Sequence, residues 1–259
     1  MAIRKQWSRE ELLVAGLLYC RIPFGRFHSS NPELVEMAQA LGRTPSALAM
    51  KLSNLASVDP TFRSSGRSGL SGASASDRDL WAEMERDWPR FALEAETAYD
   101  RLMAVSGTSE WEQEPEAAVE PTDYMGAERA VTRRERVGQK LFRDTVLSAY
   151  DFRCCITGLA VPELLNASHI VPWRDDPGNR LNPANGLCLS AIHDRAFDTG
   201  LITIRDDLTV AVSRGVAEHA GEFFQASVSV FDGQLIAAPD KFSPAPDLLA
   251  RHREEIFRQ

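Results

Sequence analysis

The residues best equipped for chemistry are concentrated between positions 169 and 198: His169, Asn185, and then His193, Asp194 and Asp198 within six positions of one another. An imidazole titrates close to neutrality and so can exchange a proton at working pH. If the stretch around 191–198 is helical, Asp194 and Asp198 project from one face about a turn apart and can share a cation. Carboxylate oxygens suit hard ions, Mg²⁺ or Mn²⁺. His193 is the rival ligand, but five residues from Asp198 it lies about 140° away around an ideal helix. It ranks third, as a nitrogen ligand if the helix starts late or as a contact to the substrate. Taken singly, each residue has a plainer role: His169 a core histidine, Asn185 a turn residue before Gly186, Asp194 a helix cap.

The order of the surrounding phrases changes that balance. Cys154-Cys155-Ile156-Thr157-Gly158 is followed by Ala167-Ser168-His169-Ile170-Val171-Pro172-Trp173 and then by Asn182-Pro183-Ala184-Asn185-Gly186-Leu187-Cys188-Leu189-Ser190. Ile192-His193-Asp194-Arg195-Ala196-Phe197-Asp198-Thr199-Gly200-Leu201-Ile202 completes the series. Over roughly residues 135–210 this resembles the HNH (ββα-metal) endonuclease family, in its restriction-type branch. The resemblance implies an α+β fold in which a β-hairpin carries the first histidine, a loop carries the asparagine and a helix carries the metal ligands. It implies that His169 is the general base, that Asn185 holds the loop and orients the histidine, and that Asp194 occupies the last motif position. The implied reaction is hydrolysis of double-stranded DNA with one divalent metal ion, in restriction of foreign, including modified, DNA.

Two departures from the family pattern matter. Many relatives have an acidic ligand immediately before the first histidine, where this chain has Ser168, so Asp198 would supply the missing carboxylate. Thr157 stands where zinc-ribbon members have a second cysteine. Cys154 and Cys188 cannot complete a four-ligand site, and no structural zinc is expected. Cys155, Cys188, Trp173 and Phe197 read as core.

The bulk composition first points the other way. With 29 Lys and Arg against 37 Asp and Glu, the 259-residue chain carries a net charge of −8, whereas a phosphate backbone is normally met by clustered cations. The charge is segregated, however. Residues 77–123 hold 14 acidic and 4 basic residues, while residues 126–155 hold 7 basic and 4 acidic, among them Arg133, Arg136 and Lys140. The basic stretch adjoins the proposed centre, and Arg180 is a further phosphate candidate in a loop, although loop arginines are more often simply solvated. Four cysteines without paired spacing, no secretory leader and no apolar run of membrane-spanning length set the expectation of a cytoplasmic protein.

The elements that must position these residues are punctuated clearly. Residues 1–60 read as three helices: Ser8 with Glu11 is a capping box, and Asn31-Pro32 and Thr44-Pro45 are start signals. The turn Gly42-Arg43-Thr44 has helix-turn-helix length. Together with Trp7-Ser8-Arg9-Glu10-Glu11 and Ala40–Ala47, it resembles a Myb/SANT-like module, a three-helix packing module being the even alternative. If the module binds DNA, Arg43, Ser46, Lys51 and Asn54 are its polar candidates. Residues 61–125 read as a Ser/Gly linker, an acidic helix divided or kinked at Pro89, and an acidic linker. Residues 126–259 hold the nuclease domain: a basic helix over about 127–150, the motif region, a hairpin over 201–212, a second hairpin around Asp232-Gly233 and a closing helix. A homodimer is allowed for. The competing function is a DNA-binding regulator whose HNH fold is inactive.

Overall fold

The computed structural model describes residues 6–64, 72–106, 123–217 and 221–258. They fall into two compact units, residues 1–141 and 142–259.

The first unit is helical. Helix α1 (Arg9–Arg21) starts at the expected box: Ser8 Oγ accepts from Glu11 N (3.2 Å) and Ser8 N donates to Glu11 Oε2 (2.7 Å). Helices α2 (Pro32–Ala40) and α3 (Pro45–Ala56) follow, capped by the side chains of Asn31 and Thr44. Asp59-Pro60 follows α3 and starts a further turn of helix. Asp59 Oδ1 accepts from Thr61 N (2.8 Å), and a short α4 (Pro60–Ser64) begins. Helix α5 (Ala75–Arg86) and helix α6 (Trp88–Ser106) are separate, so the Pro89 segment divides the acidic stretch.

Residues 1–60 do not stand as a free-standing trihelical module, because α1 packs on α6 and α5 as well as on α3. Every residue from Glu11 to Cys20 is buried, which makes α1 the central rod. Gly16 permits this: a Cβ there would meet Phe91 of α6 at 3.0 Å and Leu80 of α5 at 3.2 Å. A one-faced amphipathic pattern cannot reveal that a helix is wrapped on all sides.

Helix α7 (Asp123–Ala149) runs across the boundary between the units. In the second unit, strands β1 (Leu165–His169) and β2 (Gly186–Ser190) pair antiparallel, with Leu165 opposite Ser190 and His169 opposite Gly186. Helix α8 (Ala191–Asp198) leaves β2 directly, capped by Ser190, and packs back on both strands. A second hairpin, β3 (Ile202–Ile204) with β4 (Val210–Val212), forms as expected. Helices α9 (Arg214–Ala217), α10 (Gly221–Ser227) and α11 (Pro246–Glu255) complete the unit.

The hairpin expected around Asp232-Gly233 does not form; a single bridge joins Thr209 and Leu235. Asp232 is used instead as a cap, accepting from Val212 N (3.0 Å) beside Arg205. The architecture is α+β, with two small two-stranded sheets among helices. No helix among the described residues is long and apolar enough to cross a membrane.

Candidate active site

Strands β1 and β2 and helix α8 together form a ββα element, and its local sequence explains why. Gly186 opens β2 where a Cβ would collide with Val146 and crowd Phe142 (3.1 Å), both on α7, so only glycine lets the hairpin lie this close. Leu187, Cys188 and Leu189 are wholly buried behind it, as are Cys154 and Phe197, and Cys155 is nearly so. Burial pushes the Cys188 thiol up to about 12 and the Cys155 thiol well above its usual range. These cysteines are core, as their sequence context indicated.

His169 ends β1. Its Nε2 lies 2.9 Å from the carbonyl of Arg180. A carbonyl can only accept, so the neutral ring carries its proton on Nε2 and the lone pair on Nδ1. The ring is stacked on Phe142 (4.1 Å, 6°) and meets the edge of Trp173 (5.7 Å, 86°). Burial lowers its pKa below the ordinary value, against the opposing pull of the Arg180 carbonyl and the charge of Asp194. The imidazole is therefore neutral at pH 7, and Asp194 is near enough to influence it.

Asn185 is fully buried. Its Oδ1 accepts from Val171 N (2.8 Å), and its Nδ2 donates to Val171 O (3.1 Å) and Asn179 O (3.2 Å). The amide thus clamps the backbone just beyond His169 to the far end of the intervening loop, saturating groups that would be costly to bury unpaired. Asn179 in turn bonds Asp176 and Asn182, and Arg251 of α11 reaches Asp176 (3.5 Å) and the Asp175 carbonyl (3.3 Å). Arg180 donates Nε to Trp173 O (2.7 Å) and holds its guanidinium 5.3 Å over the Trp173 ring. That cation and the His169 ring share Trp173 as a neighbour.

Asp194 and Asp198 stand one turn apart on α8. Among the described residues neither forms an ion pair. Asp194 Oδ2 accepts from Asn166 Nδ2 of β1 (2.7 Å). The Asp198 carboxyl is raised to about 6, by burial first and the like charge of Asp194 second, with Arg195 opposing. Asp198 keeps an exposed side, where solvent screens part of this effect. His193 is turned the other way. Its ring is 3% exposed, folds back on the cap with Nδ1 2.9 Å from Ser190 Oγ, and presents an edge to Phe231 (5.4 Å, 79°). Burial lowers its pKa, opposed by the Ser227 carbonyl.

No group of three or more His, Cys, Asp or Glu that could hold a metal ion occurs among the described residues. The available donor set is two carboxylates that repel one another. That fits a hard ion such as Mg²⁺, which keeps several waters and needs only one or two carboxylates. It does not fit a four-ligand zinc site.

The remaining nominated residues are placed differently. Arg43 donates to Glu11 (3.0 and 2.7 Å) and to the Gln6 carbonyl (2.6 Å), with Trp7 4.5 Å from its guanidinium. Lys51 is buried and paired with Asp77 at 2.5 Å, 4.9 Å from the Trp7 ring. Asn54 is buried as well. A cleft of about 660 Å³ borders Trp7, Arg43 and Lys51, in the first unit and with both cations already neutralised. Lys51 of α3 is turned to Asp77 of α5 and away from solvent, while Ser46 stays exposed. Arg136 and Lys140 are exposed on α7, and Arg133 lies on the same helix, its side chain outside the described residues.

Sequence reasoning missed Asn166 and Phe142. Once β1 and β2 are registered, Asn166 faces Leu189, next to the cap of α8, but nothing in its own neighbourhood signals this. Residues 154–205 match the family model described as HNH endonuclease. No curated protein matches the chain. The histidine-bearing hairpin, the asparagine clamp and the carboxylate-bearing helix all lie within or just around that span, and residues 154–205 are an HNH endonuclease-family domain.

Proposed function

We propose that this protein is a divalent-metal-dependent endonuclease that hydrolyses phosphodiesters of double-stranded DNA. Family analogy supports restriction of foreign DNA, modified DNA included, as its setting. One observation carries the reading: an imidazole whose pKa burial lowers and whose Nδ1 lone pair is uncommitted feels the charge of Asp194, which with Asp198 one turn on lacks an ion-pair partner among the described residues. Structural units neutralise their charges, and sites that do not are candidates for chemistry.

In this mechanism Nδ1 of His169 removes a proton from water as the water oxygen bonds to phosphorus and the bond to the leaving sugar oxygen breaks. The Arg180 carbonyl keeps Nε2–H in place and stabilises the imidazolium that forms, as does the negative charge of Asp194. Phe142 and Trp173 prevent the ring from swinging away. Asn185 keeps the loop closed behind it. Asp194 and Asp198 would hold Mg²⁺ or Mn²⁺, with waters and phosphate oxygens completing the shell. When bound, that ion supplies Lewis-acid stabilisation of the charge growing on the nonbridging and leaving oxygens.

Arg180, Arg133, Arg136 and Lys140 are the proposed phosphate contacts. Arg43 and Lys51, whose charges are spent inside the first unit, are not carried into this reading, and His193 is not carried as a ligand. No observation favours the regulator alternative, because Arg43 and Lys51 are paired within the first unit.

Purified protein incubated with supercoiled plasmid tests the proposal. Nicked or linear product should appear with Mg²⁺ or Mn²⁺, disappear with a chelator and disappear in Asp194→Asn. No product from plain, methylated or hydroxymethylated plasmid with either ion would refute it.

A further inference from the structure

Asn166 is a polar side chain in direct contact with Asp194 that no motif predicts. Its Nδ2 donates to Asp194 Oδ2 at 2.7 Å across 28 residues of sequence. The orientation of the amide is fixed by chemistry, because an ionised carboxylate only accepts, so nitrogen must face it. The bond joins the two parts of the ββα element. Asn166 is the second residue of β1, opposite Leu189, and Leu189 precedes Ser190, the cap of α8, so strand register sets the height of the amide against the first turn of that helix. A guanidinium nitrogen of Arg143 donates to the carbonyl of the preceding residue, Leu165 (2.9 Å), anchoring the same strand segment to α7.

A half-buried aspartate on a helix of eight residues has several accessible rotamers, and ordering it costs entropy. With an amide bonded to Oδ2, the rotamers open to Asp194 are narrowed and Oδ1 is left to bind. The donor is neutral. A lysine or arginine in its place would orient Asp194 equally well but would cancel the negative charge that attracts a cation. The residue type therefore fits a support that orients a ligand without discharging it, the role that neutral or backbone groups play behind metal-binding side chains generally.

We infer that Asn166 is a positioning residue for the metal site, holding Asp194 in its ligating orientation through one hydrogen bond. This rests on the reading of Asp194 and Asp198 as carboxylates that share a divalent ion. In this assignment Asn166 acts wholly through Asp194.

The test is Mn²⁺ binding by the full chain, without DNA, followed by the electron paramagnetic resonance of free Mn²⁺. Parent, Asn166→Ala, Asp194→Asn and the double variant are compared, with thermal melting in the absence of metal as the check on folding. Loss of an outer support of this kind weakens affinity by about 10- to 100-fold, and Asn166→Ala should fall in that range with its metal-free melting temperature unchanged within a few degrees. In the Asp194→Asn background the same substitution should change the residual affinity less than twofold, because the interaction it removes is already gone. A parent-like dissociation constant for Asn166→Ala, with binding lost in Asp194→Asn, would overturn this assignment and leave the metal reading intact. An undiminished effect in the Asp194→Asn background would equally overturn it. A parent chain that binds no Mn²⁺ would remove the metal reading and this assignment together.

Discussion

The two units treat charge in opposite ways. In the first, buried and half-buried ionic groups are matched: Lys51 with Asp77, Arg43 with Glu11, Arg21 with Glu96. In the ββα element of the second, half-buried Asp194 and exposed Asp198 stand one turn apart with no ion-pair partner among the described residues, and burial lowers the pKa of His169. Burying an ion is tolerable only with a partner, and two like charges side by side raise the energy of the folded state. The first arrangement is what a scaffold requires, while the second is paid for by a scaffold and makes sense where a cation is to be taken up. Resemblance of the first unit to a DNA-binding module and its actual use of cations thus part company.

The sharpest way to break this comparison lies in the first unit. Removing one partner of a buried pair strands the other, at a cost of about 3–5 kcal/mol. Lys51→Ala should destabilise the protein by that order in urea unfolding, since Asp77 is wholly buried. A loss near zero would mean the pair is not buried in solution.

Next in size is an acid effect centred on His252. This ring is stacked on Phe197 (3.7 Å), with Nε2 3.1 Å from the Phe197 carbonyl and Nδ1 2.8 Å from Thr203 Oγ1. Burial is the main cause that lowers its pKa to about 4, from an ordinary 6.5. Between those values the unfolded chain binds the proton and the folded chain does not, so stability is full above about pH 6.5 and declines as pH falls toward 4. The shift corresponds to about 3 kcal/mol. The fall in melting temperature between pH 7 and pH 4.5 should be smaller in His252→Phe than in the parent; equal falls would place the acid sensitivity elsewhere.

At the site the sign reverses. Asp198→Asn relieves repulsion from Asp194, and with solvent screening the gain at pH 7 is about 1 kcal/mol or less. A melting temperature equal to or above the parent's, together with lost cleavage, is the expected pair of outcomes. Destabilisation would show that Asp198 has a structural partner.

The smallest effects concern DNA contacts. Arg136→Gln and Lys140→Gln should each reduce the slope of log affinity against log salt by about one. The same slope measured for Arg43→Gln should be unchanged in any variant that remains folded.

Legibility in the sequence followed locality. The Ser8–Glu11 box, the Asn31 and Thr44 caps and the 202–212 hairpin all depend on neighbours within a few positions, and all are present. The ordered phrases around His169, Asn185 and Asp194 were readable because their order in the chain is itself the pattern. What escaped depended on distant segments. Lys51 looks like a surface cation on α3 until Asp77 of α5 arrives, and His193 looks like a ligand until Phe231 covers it. Asn166 acquires meaning only from strand register. Asp232-Gly233 carries a hairpin's turn residues, yet its carboxylate is drawn off to cap Val212.

The most direct test of the central claim is single-turnover plasmid cleavage in Mn²⁺ by the parent and by His169→Ala, with and without added imidazole. If His169 is the base, the variant should be slower by about 10²- to 10⁴-fold, and imidazole should restore part of the loss in a concentration-dependent way. Cleavage by His169→Ala at the parent rate would contradict the account.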